Sequence, residues 1–357
     1  MVVRTMRTER SRLRVWSFLL VAALAVAGCS FGTPTPTPTP SGPDWLSVRT
    51  TLDRTDIIME RVTYRSGDLT IFGQVCRPAG VGPHRVLIWN HGGFGGLPDW
   101  ELPNGFCANA AKQGWVLAET SYRGEDGSGG DVEVCSGEVD DVLAMLDVVR
   151  RQDYADPDRM AMVGVSHGGC VTAGAVARDA DVDVAVDIAG PVNWGPLVKS
   201  VKRKTKLPST NPTLKQIYVN LVTLVEKAVG GTPARYPARY DERSPDPEKI
   251  AQWDKPFLIM HGGADTIVPV QQSCALANKT GGFTAHRFDT QGGVMAQAPP
   301  GCEQLKWNDP PGGSDVEFDA DRYLLVYDKV DHFLVDNNGL TRMVKDLLRF
   351  LDAKLPR

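Results

Sequence analysis

One serine in this sequence has the surroundings of a nucleophile. Ser166 lies in residues 164–169, which read G-V-S-H-G-G and match the pattern G-x-S-x-G-G. The apolar run before it predicts a strand and the residues after it predict a helix, while the glycines permit a turn too tight for side chains. Such a turn exposes the hydroxyl at the carboxyl end of a sheet. The pattern therefore predicts Ser166 as the nucleophile of an acyl-transfer reaction.

A serine hydroxyl needs a base to take its proton, and the base needs an acid to orient it. Beyond residue 167, three histidines follow Ser166. We predict His332 as the base, because it follows the last apolar strand in the loop before the final helix. His261 ends a strand and is expected to brace the neighbouring loop. His286 lies among polar residues of a hairpin or edge strand, where we expect it to be solvated.

The acid is expected in the loop after the fifth buried strand. Asp265 lies there, in the sequence H-G-G-A-D-T-I-V-P, at the same sheet edge as Ser166. Asp187, inside the preceding strand, is the alternative acid. Asp331 is adjacent to His332 in the chain and would point away from its ring. We therefore predict the triad Ser166, Asp265 and His332.

Two backbone N–H groups are needed to stabilise the oxyanion that forms when the serine attacks. The first is expected from His167, the residue after the nucleophile, at the positive end of the helix dipole. The second is expected from the sequence H-G-G-F at 91–94, directly after the first buried strand. Paired glycines there let backbone approach a substrate, and Gly93 is the predicted donor.

The elements that must position these residues are short apolar runs separated by amphipathic segments. They predict an opening hairpin (57–64 and 69–77), six buried strands (85–90, 115–120, 160–165, 182–188, 257–261 and 323–328) and four helices (106–113, 138–151, 168–178 and 341–355). This alternation predicts an α/β domain over 44–357 with a mostly parallel sheet covered by helices on both faces. Residues 195–253 are expected to form a small helical lid, and 290–320 an irregular surface insertion.

The amino terminus has the pattern of an export signal. An arginine-rich start precedes an apolar stretch too short to span a bilayer comfortably, which ends in L-A-V-A-G-C at Cys29. This resembles the lipobox of bacterial lipoproteins and implies a signal peptide over 1–28 and a lipid on Cys29; the alternative is an ordinary signal peptide and a secreted protein. The Thr-Pro repeat within 29–43 is a semi-rigid spacer. We expect a protein anchored to the extracytoplasmic face of the cell membrane.

Six cysteines remain after Cys29, an even number that permits disulfides in an oxidising compartment. Cys274 and Cys302 bracket the predicted insertion and are expected to pair. Cys170 falls in the helix behind the nucleophile, where a buried free thiol is expected. The cysteine spacings give no zinc pattern. The proposed chemistry needs no cofactor, and a net charge of −4 gives no support for nucleic-acid binding.

Four motifs together resemble one family. They are S-Y-R-G-E-D-G-S-G-G at 121–130, E-V-D-D-V at 138–142, G-V-S-H-G-G at 164–169 and H-G-G-A-D-T-I-V-P at 261–269. Over about 56–350 the chain is similar to the catalytic domain of the prolyl oligopeptidase family, in its dipeptidyl/acylaminoacyl peptidase branch, with dienelactone hydrolases close behind. The resemblance implies an α/β-hydrolase fold and a serine mechanism on an acyl bond. It supports the same triad, and makes residues 122–124 a structural loop beside it.

The chain departs from that family in two places. It lacks room for the large amino-terminal propeller that filters substrates in prolyl oligopeptidases, and the predicted insertion stretches the spacing between acid and base. The expected substrate is therefore a small peptide or ester, with a carboxylesterase or dienelactone hydrolase-like deacylase as the alternative. Deacylation of a cell-surface polysaccharide or polyester also fits an exported protein. A binding lipoprotein that has kept the fold without catalysis is the alternative from another class.

Overall fold

One ten-stranded sheet organises the fold, as a computed structural model of the chain shows. The structure describes residues 45–97, 105–208, 210–289, 293, 297–333 and 337–356. The predicted signal peptide, Cys29 and the Thr-Pro linker lie outside these residues.

The sheet combines an antiparallel edge with a parallel body. Its strands are β1 (Ser47–Asp53), β2 (Ile57–Ser66), β3 (Leu69–Pro78), β4 (His84–Asn90), β5 (Val116–Ser121), β6 (Ala155–Val165), β7 (Val184–Ile188), β8 (Phe257–Gly262), β9 (Thr284–Phe288) and β10 (Arg322–Tyr327). They lie in the order β1-β2-β3-β5-β4-β6-β7-β8-β10-β9. The first three strands and β5 pair antiparallel, and all pairs from β5 onward are parallel. The predicted α/β-hydrolase fold is confirmed.

Helices cover both faces of the sheet. They are α1 (Phe106–Lys112), α2 (Gly137–Arg150), α3 (His167–Val176), α4 (Trp194–Lys204), α5 (Pro212–Val229), α6 (Pro237–Asp241), α7 (Pro247–Gln252), α8 (Gln271–Thr280) and α9 (Asn337–Lys354). Neighbouring residues of the central strands face opposite sides, as Met162 and Val163 of β6 do. Met162 packs in a core with α2, α3 and α8, whereas Val163 packs in a second core with α1 and α9. Burial on both faces explains why the buried stretches of these strands are mostly apolar.

Helices α4 to α7 occupy the segment predicted as a lid, between β7 and β8. The lid contacts the loop that follows β8. The Tyr218 hydroxyl donates to the Thr266 carbonyl over 3.1 Å, and the Lys204 ammonium donates to the same oxygen. Within the described residues, no helix combines the length and apolar character needed to cross a membrane.

Three disulfides join the six cysteines of the described domain. The expected pair Cys274–Cys302 is present, and Cys76 pairs with Cys107. The expected free thiol at Cys170 is wrong, because Cys170 bonds Cys135. The loop before α2 carries Cys135 to the first turn of α3, a long-range approach that the helix pattern alone does not reveal. Three disulfides point to an oxidising, extracytoplasmic environment.

The prediction that His286 is solvated is also wrong. The residue lies in β9, a parallel edge strand, and is only 7% exposed. Its ring stacks on those of Phe288 and Tyr323, at centroid distances of 6.4 and 6.0 Å. The polar residues of this strand therefore do not mark an exposed side chain at 286. The edge strand β1 was absent from the predicted elements.

Candidate active site

Ser166 lies on the sharp turn between β6 and α3. Its backbone has φ 56° and ψ −120°, a conformation that residues with side chains rarely adopt. A Cβ on Gly164 would lie 2.0 Å from the Gly168 carbonyl oxygen, and one on Gly168 would lie 2.0 Å from that of Asn90. The glycines are thus required by close backbone packing. The Ser166 N–H donates to Ile188 of β7 over 2.8 Å and holds the turn in place.

The structure brings the three predicted triad residues together. The Ser166 Oγ lies 2.8 Å from Nε2 of His332, in the loop after β10. The opposite ring nitrogen, Nδ1, lies 2.7 Å from Oδ2 of Asp265, in the loop after β8. Because an ionised carboxylate only accepts, Nδ1 carries the ring proton and Nε2 is free to accept from the serine hydroxyl. This is the tautomer that a base for Ser166 needs.

Backbone and side chains fix the carboxylate of Asp265. Its Oδ1 accepts from the N–H groups of Ile267 and Val268, over 2.9 and 2.8 Å. Burial alone would raise the pKa of Asp265, but the imidazoles of His332 and His261 hold it well below its usual range. The acid is therefore ionised at neutral pH. His261 braces this loop, since its Nε2 donates to the Val268 carbonyl over 2.8 Å.

The alternative acids lie elsewhere. Asp187 is fully buried and accepts from the Gly190 N–H over 2.8 Å, on the inner side of the turn after β7. Burial raises the pKa of Asp187 to about 6, in contrast to the strongly acidic Asp265. Asp331 accepts from the Phe333 N–H and shapes its own loop. Among these carboxylates, the hydrogen bond to His332 comes from Asp265.

The glycine loop after β4 lies directly against the nucleophile. A Cβ on Gly92 would lie 3.0 Å from the Val165 carbonyl oxygen and 3.2 Å from the Cβ of Ser166. Gly93 has φ +79°, which glycine adopts without strain. The other predicted donor, the amide of His167, belongs to the first residue of α3. Both predicted oxyanion donors therefore belong to segments that border Ser166.

The ring of His167 has a role that the sequence did not suggest. It is 2% exposed, its Nε2 accepts from the Cys135 N–H over 3.2 Å, and it packs on the Phe94 ring at 4.4 Å. Burial lowers the pKa of His167 to about 4, so the ring is neutral. Cys135 is in turn bonded to Cys170 of α3. The disulfide thus holds a hydrogen-bond donor against the residue that follows the nucleophile.

The loop that carries Cys135 is held by a buried carboxylate. Glu138 accepts from the N–H groups of Glu133 and Val134 over 2.7 and 2.9 Å, and from Ser136 over 3.1 Å. Val134 and Cys135 both have positive φ, at 63° and 61°. The hydrogen bonds and the disulfide together stabilise these two positive-φ conformations, which are unfavourable for residues other than glycine.

The predicted structural loop at 122–124 is held by ionic contacts. Both carboxylate oxygens of Asp141 accept from the Arg123 guanidinium, over 3.1 and 2.9 Å, and Glu133 accepts over 2.7 Å. Paired on two sides, this arginine anchors the loop to α2. In the part of the chain that the structure describes, no three His, Cys, Asp or Glu residues are grouped to bind a metal ion.

Comparisons with known proteins agree with this architecture. The BD-FAE family model matches residues 76–280, more than half of the chain. The uncharacterized peptidase YtmA of Bacillus subtilis is 23% identical over 218 residues, which cover 61% of this chain and 77% of that protein.

Solved structures share the fold at low sequence identity. The acylaminoacyl peptidase of Pyrococcus horikoshii superposes with a TM-score of 0.58 at 17% identity, over 85% of this chain but only 42% of that one. The acetyl xylan esterase of Paenibacillus sp. R4 gives 0.57 at 17% identity, over 87% of this chain and 88% of that one. The family match and the shared fold lead to one conclusion: the chain belongs to the BD-FAE family and has the α/β-hydrolase fold that it shares with these peptidases and esterases.

Proposed function

We propose that this protein is an exported serine hydrolase that cleaves an acyl bond through an acyl-enzyme. The observation that carries the proposal is the unbroken chain of short contacts from Ser166 Oγ through His332 to Asp265, at 2.8 and 2.7 Å. Nε2 of His332 takes the serine proton as Oγ forms a bond to the substrate carbonyl carbon. Asp265, ionised, stabilises the imidazolium that results.

The negative charge then develops on the former carbonyl oxygen. The amides of Gly93 and His167 donate to it, with the positive end of α3 adding to the stabilisation. When the tetrahedral intermediate collapses, His332 gives its proton to the leaving group. Water, deprotonated by the same imidazole, then attacks the acyl-enzyme and releases the acid and free Ser166.

We place an ester ahead of a peptide as the bond that is cleaved. The acetyl xylan esterase is matched over 88% of its length and the acylaminoacyl peptidase over 42%, so most of the esterase's fold has a counterpart in this chain. An ester also needs less acid assistance, because an alkoxide is a much weaker base than the amide anion that a peptide would expel without protonation of its nitrogen. Peptide hydrolysis is the second candidate, supported by the similarity to YtmA over 77% of that protein.

A fluorophosphonate probe tests the nucleophile. The purified domain should be labelled at Ser166, and Ser166→Ala should abolish labelling, while the partly exposed lid serine variant Ser200→Ala should react like the wild type. Undiminished labelling of Ser166→Ala, or an inert wild type with a cooperative unfolding transition, would refute the serine mechanism. Initial rates on p-nitrophenyl acetate and on aminoacyl p-nitroanilides then rank ester against peptide. Turnover of the anilides alone would reverse our order.

We also propose that Cys29 carries a lipid that anchors the protein outside the membrane. The support is the lipobox-like sequence before Cys29, together with the three disulfides of the domain. Cells that express the chain and are fed labelled palmitate should yield a labelled protein in the membrane fraction. Cys29→Ala should lose the label. An unlabelled wild type would refute the lipid anchor, and its recovery from the medium would show that the protein is secreted instead.

A further inference from the structure

The buried His91 has a hydrogen-bond acceptor near each of its ring nitrogens. Its Nδ1 lies 3.1 Å from the Gly92 carbonyl oxygen. Its Nε2 lies 3.3 Å from Oε2 of Glu125, and both side chains are at most 4% exposed. The contact does not have hydrogen-bond geometry, but it is short enough to be an ion pair when His91 is protonated. An imidazole that faces acceptors on both sides is satisfied only when both nitrogens carry protons.

Charged and aromatic groups around the ring favour the same state. Burial alone would lower the pKa of His91, but Glu125, with Asp126 beyond it, raises that pKa above its ordinary value. The ring stacks on Tyr122 at 4.3 Å, an arrangement that suits a cation. The neighbouring imidazole of His167 is neutral and adds no competing charge.

The contact from Nδ1 bears on the proposed oxyanion hole. The Gly92 carbonyl and the Gly93 N–H belong to one peptide unit, and in a planar trans peptide they point in opposite directions. When Nδ1 of His91 donates to the Gly92 carbonyl, it fixes the direction of the Gly93 N–H. The Tyr122 hydroxyl donates to the His91 carbonyl over 3.2 Å and holds the preceding peptide. A positive charge on His91 also polarises the Gly92–Gly93 amide and strengthens its N–H as a donor.

We propose that Glu125 is a positioning residue that keeps His91 in its doubly protonated form, so that His91 orients and polarises the Gly93 N–H toward the oxyanion. The inference deepens the proposed serine mechanism and rests on it. Glu125 touches no reacting atom; it acts through His91 and the glycine loop. The two residues lie in loops at the same edge of the sheet, because β4 and β5 are parallel neighbours and each is followed by one of these loops.

The test uses Glu125→Gln, which removes the charge and keeps the shape. We expect kcat on p-nitrophenyl acetate to fall about tenfold with KM within twofold. Without Glu125 the His91 ring becomes neutral, and its hydrogen bond to the Gly92 carbonyl loses the charge that makes such a bond roughly twice as strong. The alkaline limb of the kcat/KM profile, where His91 loses its second proton, should move to lower pH. Glu125→Asp should restore part of both. His91→Phe, which keeps the stack and deletes the donor, should lose on the order of 10²-fold in kcat.

Glu60→Gln is the matched control. Glu60 also lies 3.3 Å from a basic side chain, that of Arg77, and is 11% exposed, but this pair lies beside the start of β5, whereas the glycine loop follows the end of β4. It should leave kcat and the alkaline limb unchanged. A folded Glu125→Gln with wild-type kcat and an unmoved alkaline limb would overturn the inference while leaving the serine mechanism intact.

A second measurement is independent of turnover. In nuclear magnetic resonance spectra of the wild type, the His91 ring should carry two protons at pH 6 and titrate above the ordinary pKa of about 6.5. A neutral His91 ring at pH 6 would overturn the inference even if Glu125→Gln fails to fold. An inert wild type toward fluorophosphonate would instead refute the proposed function, and the His91 titration would still decide the state of the ring.

Discussion

Removal of the disulfide between Cys135 and Cys170 should lower both stability and turnover. The cysteines are 35 residues apart, so the loop-closure entropy of the unfolded chain corresponds to about 3.8 kcal/mol at 25 °C. Replacing both by alanine should lower the free energy of unfolding by roughly that amount. In this variant the backbone at position 135 is no longer tied to α3, although its N–H donates to His167 in the wild type. Loss of one such bond, worth about 0.5–1.5 kcal/mol, should lower kcat between about two- and tenfold.

The disulfide Cys76–Cys107 is a matched control. Its cysteines are 31 residues apart, which gives a nearly equal entropy term of about 3.7 kcal/mol. It joins β3 to α1, on the side of the sheet away from α3. Urea denaturation should show a similar loss of stability in both double-alanine variants, whereas p-nitrophenyl acetate turnover per folded molecule should fall only for the Cys135/Cys170 pair. Equal turnover in the two variants would refute the link between this disulfide and the catalytic turn.

Three further outcomes are expected. Asp265→Asn should keep the fold but lower kcat on the order of 10⁴-fold, since His332 is then no longer held in the required tautomer; pre-steady-state rates measure it. The pKa of His167 lies below its unfolded value of 6.5, so stability should fall as pH drops from 6.5 towards 4, by ~3 kcal/mol. Urea titrations at each pH should show the drop in the wild type and its loss in His167→Gln. Gly168→Ala should not accumulate as folded protein, because its Cβ would lie 2.0 Å from the Asn90 carbonyl oxygen; a soluble, cooperatively unfolding variant would contradict this.

The sequence was sufficient for features set by local pattern. The strand and helix around Ser166 follow from local pattern. The motif also marks the flanking glycines, although the Asn90 carbonyl that excludes a side chain at Gly168 lies on β4. Asp265 and His332 could be placed because each follows a strongly apolar run, and the carboxyl ends of parallel strands meet at one edge of a sheet. The positions of these residues directly after predicted strands were therefore enough to predict that they share one edge of the sheet.

Features set by contacts between distant loops could not be predicted in this way. The disulfide between Cys135 and Cys170 is formed from a turn in which residues 134 and 135 both have positive φ. Valine and cysteine rarely adopt that conformation, so their presence does not predict such a turn. The polar residues next to His286 in the sequence suggest an exposed side chain, yet its ring packs between aromatic side chains. The pair His91 and Glu125 had an available signal, since each residue follows one of two adjacent parallel strands.

The backbone of Ser166 carries an evolutionary consequence. Its φ of 56° with ψ −120° is a conformation that glycine adopts freely and that other residues hold at a cost of order 1–3 kcal/mol. Ser166→Gly should therefore be inactive yet more stable than the wild type. In a lineage that no longer needed turnover, mutation would favour glycine at this position without loss of the fold. Under the proposed mechanism, only a need for the serine hydroxyl would offset this cost.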